Sequence, residues 1–279
     1  MRVYSLNNVD YSYNPVNFGI NSHSKRLEFK KDDFFVKIYG YGSNSNWAKK
    51  IMETADSAVN FIRKNVDFES ILRFITSGVR EANQMPFDLN KREHTGILRT
   101  PKAGWKYGSE WSNFTLITKY GRRGRYKGYN DRLDYTLKNP VHNPYRDISL
   151  TRPKIDKQGC KYLEHGDSDN IDSALNRVNS IYDSVHEKYI VKEVSEEDLT
   201  DINSMIAEIR WILAHATPWE RGSDAISNTF MRSVYKSAGI KTYPLKKGVS
   251  LDLEAYCTEL KDYKKNFANY FLRKPEIVD

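Results

Sequence analysis

A chain of 279 residues, 39% of them hydrophobic, can bury a sizeable core as one large domain or as a core carrying one substantial insertion. Its 44 Lys and Arg against 36 Asp and Glu leave a net charge of +8, which favours phosphate-bearing partners from nucleotides to nucleic acid without choosing among them. Cys160 and Cys257 stand far apart and the six histidines are scattered, which argues against a disulfide framework or structural zinc; no apolar run of membrane-spanning length and no secretory signal core exist, so the chain reads as soluble.

In chain order, residues 1–33 are polar and rich in Asn and Ser, and read as an arm. Asp33 to Tyr39 alternates enough to predict a short strand, closed by Gly40 and Gly42. A helix follows with Asn46 as its cap and Ile51, Ala55, Ala58, Val59 and Ile62 as its apolar stripe. Asp67 opens the next, with Ile71, Leu72, Ile75 and Val79 facing inward, and the short link makes the two an antiparallel pair. Residues 86–110 are broken by Pro86, Pro101 and Gly104, and carry Thr100, Lys102 and Lys106. Ser112 to Tyr120 reads as a strand running into the most basic stretch, which holds Lys119, Arg122, Arg123, Arg125, Lys127 and Arg132 among glycines and tyrosines. Such a stretch suits a nucleic-acid backbone, an acidic partner or plain solvation, and nucleic acid is the weaker reading because no RNA-binding motif accompanies it. Residues 138–168 read as a connection punctuated by Pro140, Pro144, Pro153 and Gly166. Asp169 to Ile190 returns to helix on Ala174, Val178, Ile181 and Val185.

The organising stretch lies beyond. Ser195, followed by three acids, caps a helix with Leu199, Ile202, Ile206, Ile209 and Leu213 on one face, and Pro218 stops it. A second helix begins near Ser223, carries Ile226, Phe230 and Val234, and ends at Gly239. Between them, Glu220-Arg221-Gly222-Ser223-Asp224 has the chemistry of an anion site: free N–H groups at a helix start, a glycine for close approach and a guanidinium for phosphate. The bland alternative is an ordinary cap with Arg221 in a salt bridge. Ser250 caps a further helix containing Asp252, and the tail is helical to Phe271. The pattern is α+β, predominantly helical, with short strands in the first half.

Helix, anion turn, helix resembles the Fic fold, whose turn carries HPFxxGNGR. Here Thr217-Pro218-Trp219-Glu220-Arg221-Gly222-Ser223-Asp224 keeps the proline, an aromatic and the glycine, but has Thr217 for the histidine. The RGS turn, Gly239-Ile240 and the segment from Ser250 to Ala255 resemble more closely the AvrB family of plant-pathogen type III effectors, which has a Fic-like fold with the same departures. Asp252 lies 31 residues after Arg221, as in that family. Residues 169–173 and Thr100-Pro101 resemble it too, although Ser173 stands where the family has a histidine. The resemblance implies an N-terminal arm or export region at 1–45, a domain at 46–271 with an insertion lobe at about 86–168, and a tail at 272–279.

The activity it implies is transfer of rhamnose or another hexose from a UDP- or dTDP-linked sugar to a threonine or serine of a host protein, by a protein secreted into that host. Asp252 and Thr100 would line the reaction centre. Arg221, Gly222, Ser223, Lys102, Lys106, Ser173 and His165 would bind the donor. No metal is expected for this transfer. Two further readings stay open: nucleotidyl transfer, the Fic reaction, and a binding effector with no enzymatic activity. His215 is a poor substitute for the Fic base, because two residues along a helix turns a side chain about 200° away.

Overall fold

The computed structural model describes residues 27–38, 43–83, 94–100, 114–116, 128–190, 192 and 194–278. The first apolar stripes form α1 (Ser45–Arg63) and α2 (Phe68–Ala82), capped by the Asn44 and Asp67 carboxamide and carboxylate. The α1 cap is Asn44 rather than Asn46, since the Asn44 side chain reaches the N–H groups of Asn46 and Trp47 at 2.9 and 3.0 Å. Contacts pair the start of one helix with the end of the other: Trp47 Nε1 donates to Asn83 at 2.8 Å, Thr54 meets Gly78, and Phe61 meets Phe74 edge-on at 4.8 Å. The pair is therefore antiparallel.

Three short strands follow in a region read in part as connection. β1 (Phe114–Leu116), β2 (Arg152–Ile155) and β3 (Lys161–Glu164) form an antiparallel sheet in the order β1-β3-β2, with Phe114 and Arg152 both opposite Glu164. The expected connection at 138–168 thus holds a hairpin. Its turn is closed by Asp156, whose carboxylate accepts the N–H groups of Gln158 and Cys160. α3 (Asn130–Lys138) packs on β2. Of the basic stretch, Arg132 lies on α3, while residues 117–127 are outside the described residues, as are Lys102 and Lys106.

α4 (Ile171–Val185) continues through a wider turn to Ile190, and then α5 (Asp198–Ala216) and α6 (Ser223–Ser237) form the centre. α5 starts three residues later than expected, because Asp198 turns back to accept both the N–H and the hydroxyl of Ser195. From Arg210 to Ala216 every residue of α5 is buried, which is the mark of a central helix surrounded on all sides. α4, α7 (Leu251–Tyr256) and α8 (Leu260–Asn266) surround α5, while α1 and α2 cover α6. β4 (Ile240–Lys241) and β5 (Glu276–Ile277) pair beyond α6. No described helix is long and apolar enough to cross a membrane.

The strand expected at Asp33 to Tyr39 is absent from the described part of that segment. Lys31–Phe34 makes a tight 3-10 turn instead. Asp33 is buried, accepts the Lys30 N–H at 2.7 Å and faces the buried Arg232 of α6. Arg232 lies between the rings of Phe34 and Phe271 at 5.6 and 5.7 Å, and donates to Thr242 Oγ1 at 2.8 Å and the Tyr243 carbonyl at 3.2 Å. One cation thus fastens the N-terminal segment and the C-terminal aromatic cluster to α6, which overrides the local preference for an extended strand.

α1 and α2 approach each other closely at Gly78, where an added Cβ would stand 2.3 Å from Thr54 Oγ1. Gly78→Ala should therefore destabilise the fold by about 1–3 kcal/mol despite alanine's better helix propensity. Urea denaturation checks this, and Thr54→Ala in the same chain should restore most of the loss; an alanine variant as stable as wild type would mean that the helices shift freely.

Candidate functional site

Pro218 cannot continue α5, so the chain reverses there. Thr217 adopts a left-handed conformation, φ 42° and ψ 63°, and its hydroxyl donates to the Ala214 carbonyl at 2.8 Å. The carbonyls at this helix end are satisfied by Arg99, which is buried and donates to Thr217 at 2.6 Å, Ala216 at 2.7 Å and Gly166 at 2.5 Å. A guanidinium at a helix C-terminus also meets the negative end of the dipole. Burial lowers the Arg99 pKa to about 10, still far above neutrality.

Residues 94–99 run along the reversed turn like a short splint. Gly96 donates to the Arg221 carbonyl at 3.0 Å, Glu220 to Ile97 at 2.8 Å and Arg99 to Pro218 at 2.9 Å, while His94 Nδ1 meets the Glu220 carboxylate at 2.5 Å. Thr100 follows directly, at the Pro218 end of the splint, and is exposed. Gly222 takes φ +87°, with Thr95 Cγ2 3.1 Å from where a Cβ would be, and is the N-cap of α6. α6 does begin at Ser223. The Ser223 hydroxyl, however, turns back to the Trp219 carbonyl and N–H at 3.1 and 3.2 Å, so a ligand here would meet backbone N–H groups rather than that side chain. Arg221 is half-buried at the same turn.

Beneath α6 lies a charge cluster that pattern reading missed. Arg210 of α5 is fully buried, and its NH2 nitrogen donates to Asp224 Oδ1 at 2.8 Å and Asp252 Oδ1 at 3.0 Å. Burial opposes the charge on Arg210, but the two carboxylates outweigh it and hold the guanidinium pKa above its ordinary value. Asp252, expected to work at the reaction centre, is thus also a salt-bridge partner of Arg210. The signal was available: Arg210 interrupts a run of apolar residues, and a charge in a buried stripe must be paired.

The start of α7 is fixed from a second side. Tyr129 Oη donates to Glu254 at 2.8 Å and accepts the Ser250 N–H at 3.0 Å, and Arg132 NH1 adds a bond to Glu254 at 2.8 Å. The Ser250 side chain makes no cap hydrogen bond, contrary to expectation, because the tyrosine already holds its backbone.

His165 is half-buried with Nδ1 3.4 Å from the hydroxyls of both Thr217 and Thr151. Its enclosure, aided by the charge of Arg99, pushes its pKa down to about 3, so at neutral pH the imidazole is uncharged. Ser173 sits half-buried in the first turn of α4, and the nearest tie from that helix start is Asn170, which accepts the Ser149 hydroxyl at 2.5 Å. His215 is fully buried, with Nε2 3.0 Å from the Ala255 carbonyl and its ring 4.1 Å from Trp211. It is a packing residue and cannot reach the turn's ligand face.

The AvrB/AvrC avirulence protein family matches residues 132–274. The chain belongs to the AvrB/AvrC family. It is accordingly a bacterial avirulence effector, of a class delivered into host cells to meet host proteins. The matched AvrB/AvrC region contains Arg210, Arg221, Asp224, Asp252, His165 and Ser173, while the 94–100 splint and Thr100 lie before it. A search of curated proteins finds no significant match.

Burial also pushes the His215 pKa down from 6.5 to about 3. Below its ordinary pKa the unfolded chain binds a proton that the folded chain refuses, so this histidine makes stability fall as the pH drops from about 6.5 toward 3. His215→Gln should flatten that fall between about pH 6.5 and 5 in denaturation experiments. An unchanged slope would show that His215 is protonated in the folded protein.

Proposed function

We propose that this AvrB/AvrC effector is a glycosyltransferase, which moves a deoxyhexose or hexose from a UDP- or dTDP-linked sugar onto a serine or threonine hydroxyl of a host protein. The observation that carries the reading is the pairing of two opposite chemistries at one place. The start of α6 at Gly222 and Ser223, with Arg221 on its turn, offers N–H groups and positive charge; Asp252, partly exposed and linked through Arg210 to the same helix start, offers a fixed negative charge.

Sugar transfer needs both. The bond between the anomeric carbon and the diphosphate breaks, its electron pair leaves with the diphosphate, and the sugar becomes oxocarbenium-like. N–H groups and Arg221 stabilise the departing charge, and the Asp252 carboxylate stabilises the positive carbon or takes the proton that the acceptor hydroxyl loses as its oxygen bonds to that carbon. Thr100, exposed at the end of the splint, is assigned to the acceptor in this scheme. A UDP- or dTDP-sugar is the implied donor, and the host protein is the acceptor.

Nucleotidyl transfer finds less support. The Thr217 hydroxyl is spent on the Ala214 carbonyl and His215 is buried, so neither supplies a base at the position where the Fic reaction uses one.

The test is intact-mass analysis of the protein and of host lysate proteins after incubation with separate nucleotide sugars and nucleoside triphosphates, wild type beside Arg221→Ala. A hexose or deoxyhexose increment that disappears in a folded Arg221→Ala is expected. A nucleotide increment would replace the proposal with nucleotidyl transfer, and no increment alongside retained host-protein binding would make the effector a non-enzymatic binder.

A further inference from the structure

We propose that the two-stranded ribbon formed by residues 240–246 and 270–277 carries a docking face for anionic lipid bilayers. Leu272 is its apolar anchor, and Lys246, Lys247, Arg273 and Lys274 are the cations that meet the headgroups. Such docking needs no transferase activity.

The ribbon is built from both ends. β4 and β5 pair with Ile240 opposite Ile277, and antiparallel pairing reappears where Leu245 faces Phe271. There the Lys246 N–H donates to the Tyr270 carbonyl at 2.9 Å and the Leu272 N–H donates to the Pro244 carbonyl at 2.8 Å. Leu245 and Phe271 both point into the core, where they are 2% and 1% exposed. Side chains alternate along extended backbone, so the residue after each of them turns outward. Lys246 is exposed accordingly, and Leu272 keeps 54% exposure, more than any other aliphatic side chain of the described residues. An exposed leucine alone is ordinary. Its surroundings give it a use.

Lys247, Arg273 and Lys274 are exposed beside Lys246 and Leu272 in the chain. Among the described residues, Lys246, Lys247 and Lys274 have no carboxylate partner. Glu276 is the one acid in the sequence of the two ribbon segments, and it is shared between Arg273, at 3.2 Å, and the Tyr243 hydroxyl. Arg273 also lies over the Tyr243 ring at 4.5 Å, with Lys241 on that ring at 5.5 Å. The neighbouring N-terminal segment joins through the Gly248 N–H and the Lys37 carbonyl at 3.0 Å, but the Lys37 ammonium is paired with Asp32 at 2.8 Å and adds no net charge. The excess of positive charge therefore belongs to the ribbon and the turn that follows it.

Anionic headgroups complement that excess, and the acyl boundary beneath them takes the leucine. Tyr243, half-buried with its ring under Arg273, suits the level between the two, where amphipathic aromatic rings settle. A nucleic acid would use the cations and leave Leu272 in water. The bilayer uses both, and this decides between them.

The experiment is co-sedimentation of the full-length protein with vesicles of phosphatidylcholine alone and of phosphatidylcholine with about one third phosphatidylserine. Wild type is compared with Leu272→Ser, with Lys246→Glu/Lys247→Glu, and with Lys261→Glu/Lys265→Glu, which makes the same change of net charge at exposed positions of α8. Wild type should bind only the vesicles with phosphatidylserine. The ribbon lysine variant should lose about tenfold or more of that binding and Leu272→Ser about threefold or more, while the α8 variant stays within about twofold of wild type. Leu272→Ser replaces an exposed side chain and should keep the wild-type melting temperature, so its result stands even if the lysine variant were misfolded. No binding of wild type to the phosphatidylserine vesicles would overturn the proposal, as would equal losses in the ribbon and α8 variants, which mean attraction by net charge alone. Undiminished vesicle binding by Leu272→Ser would remove the anchor and with it the bilayer assignment. Retention on single-stranded RNA that needs Lys246 and Lys247 but ignores Leu272, with no vesicle binding, would give the face to nucleic acid instead.

Discussion

A buried guanidinium shared by two carboxylates is the constraint on which the centre of this protein depends. Arg210 sits on the most enclosed stretch of α5, where an uncompensated charge would be costly, and its compensation comes from the first turns of two other helices. The ends of α6 and α7 must therefore meet over α5. Whatever the reaction, the fold has fixed the relative position of the Gly222 turn and Asp252 before any ligand arrives.

The reversed turn from Thr217 to Gly222 shows the same economy at the backbone level. Two residues take a left-handed conformation; Thr217 would strain an isolated loop, whereas Gly222 adopts it freely. Arg99 holds the first by binding the carbonyls of Ala216 and Thr217, and the 94–99 splint holds the stretch between by backbone hydrogen bonds. The turn is thus preorganised. The Ser223 hydroxyl, committed to Trp219, is part of that preorganisation. Arg232 does at the other end of α6 what Arg210 does at its start: a buried cation collects distant segments, here the 3-10 turn at Lys31–Phe34 and the aromatic tail around Phe271.

Membership in the AvrB/AvrC family gives this arrangement a biological setting, an effector meeting host proteins, without fixing the reaction. The residues singled out for donor and acceptor chemistry divide in the structure. Arg221, Gly222, Ser223, Asp252 and Thr100 belong to or adjoin one locality through the turn, the splint and Arg210. His165 reaches that locality through Thr217, whereas Ser173 stays on the start of α4, where Asn170 accepts the Ser149 hydroxyl.

The sequence by itself determined the helices, because a stripe of apolar residues at three- and four-residue spacing can be buried in only one way. It also determined the turn, because Pro218 and Gly222 leave the backbone few alternatives. α1, α2, α5 and α6 accordingly fall where periodicity puts them. Tertiary structure decided what local pattern does not encode. The segment at Asp33 has a 3-10 turn in place of the start of a strand, with Phe34 packed against Arg232; residues 152–164 formed a hairpin because β1 and α3 were there to pack with it. Asp252 took Arg210 as a partner. Each of these choices rests on a charge or strand edge whose partner lies tens of residues away in the chain, and electrostatic pairing and sheet closure are settled by proximity in space.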